Sequence, residues 1–184
     1  APFVASEWVD GPSLARVLAG ERALPTPAAL RLARGLAAGL EAIHAAGLAH
    51  GDVRPENLLL DPRGHARLID LGWASLRASL PDPGSRRYLA PERLAGGPPS
   101  AAADVWAAGV LLAEAFTGRS PYGPGAAGEA PALGPPEPPD PTELPDGLAP
   151  VLARCLQPAS EARYPDGGEL AAALAPIRAA LVSA

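Results

Sequence analysis

Two residue types are missing altogether. The 184 residues contain no methionine and no lysine, so all 15 basic side chains are arginine and any mechanism that needs a lysine is excluded for this chain alone. Without a methionine to open it, the chain is expected to be a processed product or a fragment. Cysteine occurs once, at Cys155, which rules out an internal disulfide and a thiolate zinc site and makes a reducing, cytoplasmic compartment the default expectation. Asparagine also occurs once, at Asn57. No apolar run approaches the roughly 20 residues that span a bilayer. Residues Ala1 to Asp10 carry charge and lack the long apolar stretch of a signal peptide. A net charge of -5 disfavours nucleic acid or an anionic membrane surface as the main partner. What the chain has is 48% hydrophobic residues, enough for a core, in a length typical of one domain.

Periodicity and punctuation divide the chain. Phe3 to Ser6 reads as a short strand running into a turn at Asp10-Gly11-Pro12, and Ser13 can cap a short helix through Leu18. Thr26-Pro27 supplies an N-cap and first-turn proline. Leu30, Ala33, Leu36, Leu40 and Ile43 then follow at helical spacing, with Gly47 at a left-handed C-cap position, so a helix is expected over about 27 to 46. Leu58-Leu59-Leu60 and Ala66 to Ile69, joined by Asp61-Pro62-Arg63-Gly64, predict two short strands paired through a type I turn. Residues 72 to 100 show no sustained period and read as a long loop. A helix of about 101 to 117, capped by Ser100 and ended by Gly118, is apolar nearly all round and is therefore expected to be buried. Residues 119 to 147 are crowded with proline and glycine, and two helices are expected at about 148 to 157 and 167 to 182.

The densest polar cluster is His50-Gly51-Asp52-Val53-Arg54-Pro55-Glu56-Asn57, between the long helix and the first strand. Asp70-Leu71-Gly72 closes the second strand. Because the two strands pair through a tight turn, their outer ends meet, which brings Asn57 near Asp70. An amide carbonyl and a carboxylate are hard oxygen donors of the kind Mg²⁺ takes when phosphates complete its shell. Asp52 would face the same site as an acceptor for a hydroxyl proton, and Arg54 offers a charge for a phosphoryl oxygen.

On these residues the chain resembles the catalytic half of the protein-kinase family, of the bacterial Ser/Thr type. The family's His-Arg-Asp…Asn loop corresponds to His50-Gly51-Asp52…Asn57, its Asp-Phe-Gly to Asp70-Leu71-Gly72, and its Ala-Pro-Glu to Ala90-Pro91-Glu92. Gly84 to Leu89 looks like the substrate-facing loop, and Asp104-Val105-Trp106-Ala107-Ala108-Gly109 like the buried central helix. The resemblance implies an α+β, mainly helical fold: a last N-lobe strand and hinge remnant at 1–12, then a C-lobe at 13–184. That lobe would hold a catalytic loop at 50–57, an activation segment at 70–92 and an irregular segment at 119–147. It implies Asp52 as catalytic base, Asn57 and Asp70 as Mg²⁺ ligands, and Arg54 in place of the family's phosphate-contacting lysine. The main chain of Glu7 and Val9 would pair with adenine, Leu59 would floor it, and Ser6 would be the gatekeeper. His50 would brace the loop, Asp104 would hold its backbone, and Arg163 would pair with Glu92. ATP and a protein substrate are the implied partners.

Two departures stand out. Gly51 replaces the arginine that pairs with a phosphorylated activation loop, which argues against switching through Ser75, Ser79 or Ser85. The glycine-rich loop, the anchoring lysine and its glutamate partner have no counterpart here, so the domain is expected to be incomplete. Two rival readings share the motifs: a degenerate kinase scaffold, and a small-molecule kinase of the aminoglycoside or choline type. Gly123 to Gly128 matches G-x-G-x-x-G but follows no strand and reads as loop. His44 and His65 read as surface or helix-face residues, and Cys155 as a small core residue.

Overall fold

The computed structural model describes residues 7–20, 23–71, 83–122 and 136–178. The expected strand at Phe3 to Ser6, the gatekeeper Ser6, Gly72, Ser75, Ser79 and the Gly123 to Gly128 segment lie outside these residues. Within them, helix α1 (Leu14–Gly20) leads to the long α2 (Thr26–Ala45), a 3-10 turn (Pro55–Asn57) and the strands β1 (Leu58–Leu60) and β2 (Ala66–Leu68). A 3-10 turn (Pro83–Tyr88) and the one-turn α3 (Pro91–Leu94) precede the central α4 (Ala101–Thr117). Helices α5 (Leu148–Cys155) and α6 (Gly167–Leu174) follow, with single 3-10 turns at Pro141–Glu143 and Ser160–Ala162.

The strands pair antiparallel in the register Leu58 with Leu68, Leu59 with Arg67 and Leu60 with Ala66. Their turn closes through Gly64 N–H on the Asp61 carbonyl at 2.8 Å, and Gly64 takes φ 77°, a left-handed conformation open to glycine. Helix α4 starts where Ser100 Oγ accepts the Ala103 N–H and ends at Gly118 with φ 69°. Fourteen of its residues, Ala103 to Phe116, are buried, so it is the axis around which the other helices pack.

The chain departs from the sequence expectations at helix ends and in the loops. Thr26 is the first residue of α2 and not its cap; Pro25 holds that position with no side-chain bond. Pro27 has no N–H to be capped, and the Ala28 and Ala29 N–H groups reach the Pro25 carbonyl at 2.8 and 3.0 Å, so the first turn forms without a hydroxyl cap. The 72 to 100 stretch is not a uniform loop, because the Pro83–Tyr88 turn and α3 stand inside it. Helix α6 ends at Leu174, earlier than the period of apolar residues suggested.

Three close backbone approaches fix how the layers sit. A Cβ on Gly109 of α4 would lie 2.6 Å from the Cβ of Cys155 on α5. One on Gly167 would lie 2.3 Å from the Glu41 main-chain nitrogen on α2, and one on Gly35 would lie 3.0 Å from the Ala66 Cβ on β2. The small residues thus let α5, α6 and the hairpin press directly on α4 and α2. That packing sets the polar segment between α2 and β1 against the N-terminal end of α4.

Candidate active site

The segment after α2 is extended and carries its polar groups on the main chain, which must be satisfied once α2 and α4 exclude water. Asp104, in the first turn of α4, does this. Its Oδ2 accepts the His50 N–H at 2.7 Å and its Oδ1 accepts the Gly51 N–H at 2.8 Å. Gly51 takes φ 77°, which turns the chain so that both amides face one carboxylate. His50 is buried and ties the loop to the hairpin. Its Nε2 donates to the Ile69 carbonyl at 2.8 Å, while its Nδ1 accepts the Asp52 N–H at 3.3 Å. A carbonyl on one nitrogen and an N–H on the other define the Nε2–H tautomer.

Asp52 follows and is held from the other side. Asn57 Nδ2 donates to both the Asp52 carbonyl and its Oδ2, each at 2.8 Å. Both of these bonds use the Asn57 amino group and none uses its Oδ1. The Ile69 N–H donates to the Asn57 carbonyl at 3.0 Å, one step beyond the last strand pair, which carries the ladder up to Asp70. Asp70 has φ 63° and is the one non-glycine residue with positive φ among those described. Aspartate tolerates that region better than most residues, and such backbone strain persists where surrounding contacts hold it. Here the two bonds at Ile69 do so.

Arg54 Nε donates to Glu56 Oε2 at 2.7 Å, and the pair sits beside the loop. Burial raises the Glu56 carboxyl, but the Arg54 bond and charge outweigh it and leave the group below its ordinary value. Glu7, Val9 and Leu59 line one open cleft of about 1380 Å³ together with Ile69 and Asp70. Asp52 borders a separate recess of about 20 Å³ with Leu89 and Ala90. Trp8, 87% exposed, and Leu71 stand at the rim of the large cleft.

Glu92 and Arg163 form a bidentate pair, Nη1 to Oε1 at 2.7 Å and Nη2 to Oε2 at 2.8 Å. The remaining donors of Arg163 reach the carbonyls of Gln157, Ala102 and Pro158 at 2.7 to 3.0 Å, so a guanidinium only 1% exposed has all five N–H groups bonded. It also lies over the Trp106 ring, 4.9 Å from its centroid. The Ala90-Pro91-Glu92 corner is thereby fastened to α4 and to the loop before α6.

Two groups escaped the sequence reading. His44 is no surface residue: its side chain is 4% exposed, its Nε2 donates to Asp104 Oδ2 at 3.1 Å, and its Nδ1 accepts the Gly167 N–H at 2.8 Å. The signal was present, since His44 extends the buried Leu36–Leu40 stripe by another four residues. Glu114 is the second. It is the lone acid in the C-terminal half of α4, where burial raises its carboxyl despite the Tyr88 hydroxyl that donates to its Oε2 at 2.6 Å. His65 is exposed and Cys155 is buried, as expected.

A buried central helix whose aspartate grips a loop, an Asp52-bearing loop braced to a hairpin, and an Ala-Pro-Glu corner clamped by a buried arginine define a kinase-type C-lobe. A model of the protein kinase domain matches residues 2–164. The chain is 40% identical over 165 residues to the serine/threonine-protein kinase PkaA of Streptomyces coelicolor, covering 82% of this chain and 30% of that one. It is 37% identical to the probable serine/threonine-protein kinase PkwA of Thermomonospora curvata, over 94% of this chain and 24% of that one. With the serine/threonine-protein kinase PknA of Mycobacterium tuberculosis it shares 34% identity over 96% of this chain and 43% of the relative. The chain spans less than half the length of these curated relatives and belongs to the protein kinase domain family.

Proposed function

We propose that this chain is the catalytic C-lobe of a Ser/Thr protein kinase that moves the γ-phosphoryl group of MgATP to a protein hydroxyl. Asp52 accepts the proton of the attacking hydroxyl while a new O–P bond forms and the bond to the β-phosphate oxygen breaks, releasing ADP. The observation that carries this reading is the double bond from Asn57 Nδ2 to Asp52. It fixes the carboxylate that takes the proton and, at the same residue, leaves an oxygen for a metal.

The residues present fit the implied partners. Asn57 Oδ1 and the Asp70 carboxylate are hard oxygen donors suited to Mg²⁺. Val9, Leu59 and Ile69 offer an apolar bed for a flat adenine ring, with the Glu7 and Val9 main chain at its edge. When bound, Mg²⁺ and ATP supply the transferable group and neutralise the charge on its oxygens. Arg54, paired with Glu56, is the planar cation that would contact the transferring phosphate in place of the family's lysine. The names of the relatives favour a protein substrate over a small molecule. The buried, single cysteine fits a reducing cytoplasm. Residues 1–12 are read as hinge remnant and 13–184 as the lobe, with catalytic loop 50–57 and activation segment 70–92.

The test is phosphotransfer to a generic protein substrate by a complete kinase domain that carries this lobe and by its Asp52→Asn and Asp70→Asn variants; the lobe alone is expected to be inactive. Each variant is expected to lose about 10²- to 10⁴-fold in rate with its melting temperature unchanged. A rate equal to wild type in either variant overturns the assignment.

A further inference from the structure

Past the C-terminal end of α6, two guanidiniums meet at one oxygen. Arg34, an exposed residue of α2, donates through Nη2 to the Ile177 carbonyl at 2.6 Å. Arg178 donates through Nη1 to the same carbonyl at 3.1 Å, and also to the carbonyl of Ala175. The Ile177 side chain is buried against Gly147, at the start of α5, so the core fixes the carbonyl that holds both heads.

Two like charges on one acceptor repel, and a carbonyl dipole orients them without neutralising them. Helix capping accounts for one of the two. A basic side chain just past a helix end answers the last carbonyls, and Arg178 does so for α6. Arg34 arrives from another helix and adds a second charge where one suffices. No carboxylate among the described residues pairs with either arginine, and residues 179–184 contain no Asp or Glu. Arg34 uses one of its five N–H groups here and Arg178 uses two. Both side chains are exposed, so the remaining donors are open to a ligand.

We infer that Arg34 and Arg178 form a binding site for a phosphate monoester dianion. Two cations match its charge, and two planar forks match its three terminal oxygens. A carboxylate brings one charge and two oxygens, which a single fork satisfies. The carbonyls of Ala175 and Ile177 already hold the heads, so little side-chain freedom is lost on binding. The site shares no residue with the cleft lined by Leu59 and Asp70, and it does not depend on the phosphotransfer reading. The same chemistry reaches it from a phosphorylated side chain of a protein or from free phosphate.

A fluorescent peptide of one serine flanked by alanines, its phosphoserine form and its glutamate analogue are titrated against the full chain by anisotropy at low ionic strength. The phosphoserine peptide is expected to bind about tenfold tighter than the serine peptide, with the glutamate analogue between them. Arg34→Gln and Arg178→Gln each reduce that advantage to about twofold or less. Arg31→Gln, at an exposed arginine one turn earlier on α2 with no bonded partner among the described residues, leaves it unchanged. Inorganic phosphate then competes with the labelled phosphopeptide. Displacement at concentrations equal to those of unlabelled phosphopeptide supports the site with the free ion as its ligand. A need for about tenfold more supports it with a chain-borne phosphate. Equal affinity for the serine and phosphoserine peptides overturns the inference. So does a loss in Arg31→Gln as large as in Arg178→Gln, which would mark diffuse surface charge. Should Arg34→Gln fail to fold, Arg178→Gln, beyond the last helix, decides.

Discussion

Asp104 grips His50 by its main chain and not by its ring: the carboxylate takes the His50 N–H at 2.7 Å and the following Gly51 N–H at 2.8 Å. The imidazole is left to span from Ile69 to Asp52. One buried carboxylate thus sets the path of the loop, and the histidine transmits that path to the hairpin end that carries Asp70.

Asp104→Asn tests the grip. The carboxylate faces three donors, from His50, Gly51 and His44, and an amide leaves at least one of them opposite its own NH₂ group. A loss of about 1–3 kcal/mol is expected in denaturant unfolding. Because the loop shifts, kcat of a complete kinase domain carrying this lobe should fall by about 10²-fold with KM nearly constant. An unchanged kcat would show that the loop keeps its course unaided.

His44→Ala removes a bridge between α2, α4 and α6. It leaves the buried Gly167 N–H without its acceptor and Asp104 Oδ2 without one donor. The cost is expected at about 1–3 kcal/mol. A double-mutant cycle with Asp104→Asn should show coupling above about 0.5 kcal/mol, since the two side chains share a contact. Strict additivity would contradict a direct bond.

Gly51→Ala probes the left-handed turn. At φ 77° a Cβ crowds the backbone, and the expected penalty is about 1 kcal/mol, with Gly51→Val costing more than Gly51→Asn. Thermal melting ranks the three variants. Equal melting temperatures would mean that the loop relaxes to another φ.

The clamp between Glu92 and Arg163 carries a pH signature. Burial raises the Glu92 carboxyl, yet the bonds and charge of Arg163 prevail and hold it below the ordinary 4.5. Since the folded value is depressed, the stabilisation is present above pH 4.5 and drains away as pH falls below it toward the folded value. Glu92→Gln should flatten that acid limb. Glu92→Ala strands a buried guanidinium and is expected to cost about 3–5 kcal/mol at neutral pH. Acid and neutral unfolding curves that coincide for wild type and Glu92→Gln would refute the linkage.

Gly109→Ala overpacks the contact between α4 and α5, where the new Cβ would stand 2.6 Å from that of Cys155. A loss of about 1–3 kcal/mol is expected. Cys155→Ala should not rescue it, because the collision involves the Cβ that alanine keeps. Rescue would place the strain at the sulfur instead.

Much of this was legible in order and spacing. Helix α4 announced itself through Ser100, Gly118 and an unbroken apolar run, and the hairpin through a turn whose proline and glycine fit one geometry. The approach of Asn57 to the Asp70 end followed from strand pairing alone. The end of α6 and the cap of α2 were not legible, because the last turn of a helix is decided by what it packs against as much as by its own residues. His44 and Glu114 were missed for a related reason. A polar residue on an apolar stripe has two outcomes, and sequence does not reveal whether a partner arrives from sixty residues or one helix away.

By itself, then, the amino-acid order settled which groups exist and where the local turns fall: one carboxylate at Asp52, an amide at Asn57, a second carboxylate at Asp70, no lysine, and strands short enough to pair. Local conformation obeys short-range sterics and hydrogen bonds, which neighbouring residues dictate. Only the tertiary structure decided that His44 bridges Gly167 and Asp104, that Arg163 is fully bonded, and that Arg87 stands over Tyr88 against Glu114. Those contacts depend on helices approaching closely at Gly109 and Gly167, and on burial that turns each lone polar atom into one that must find a partner.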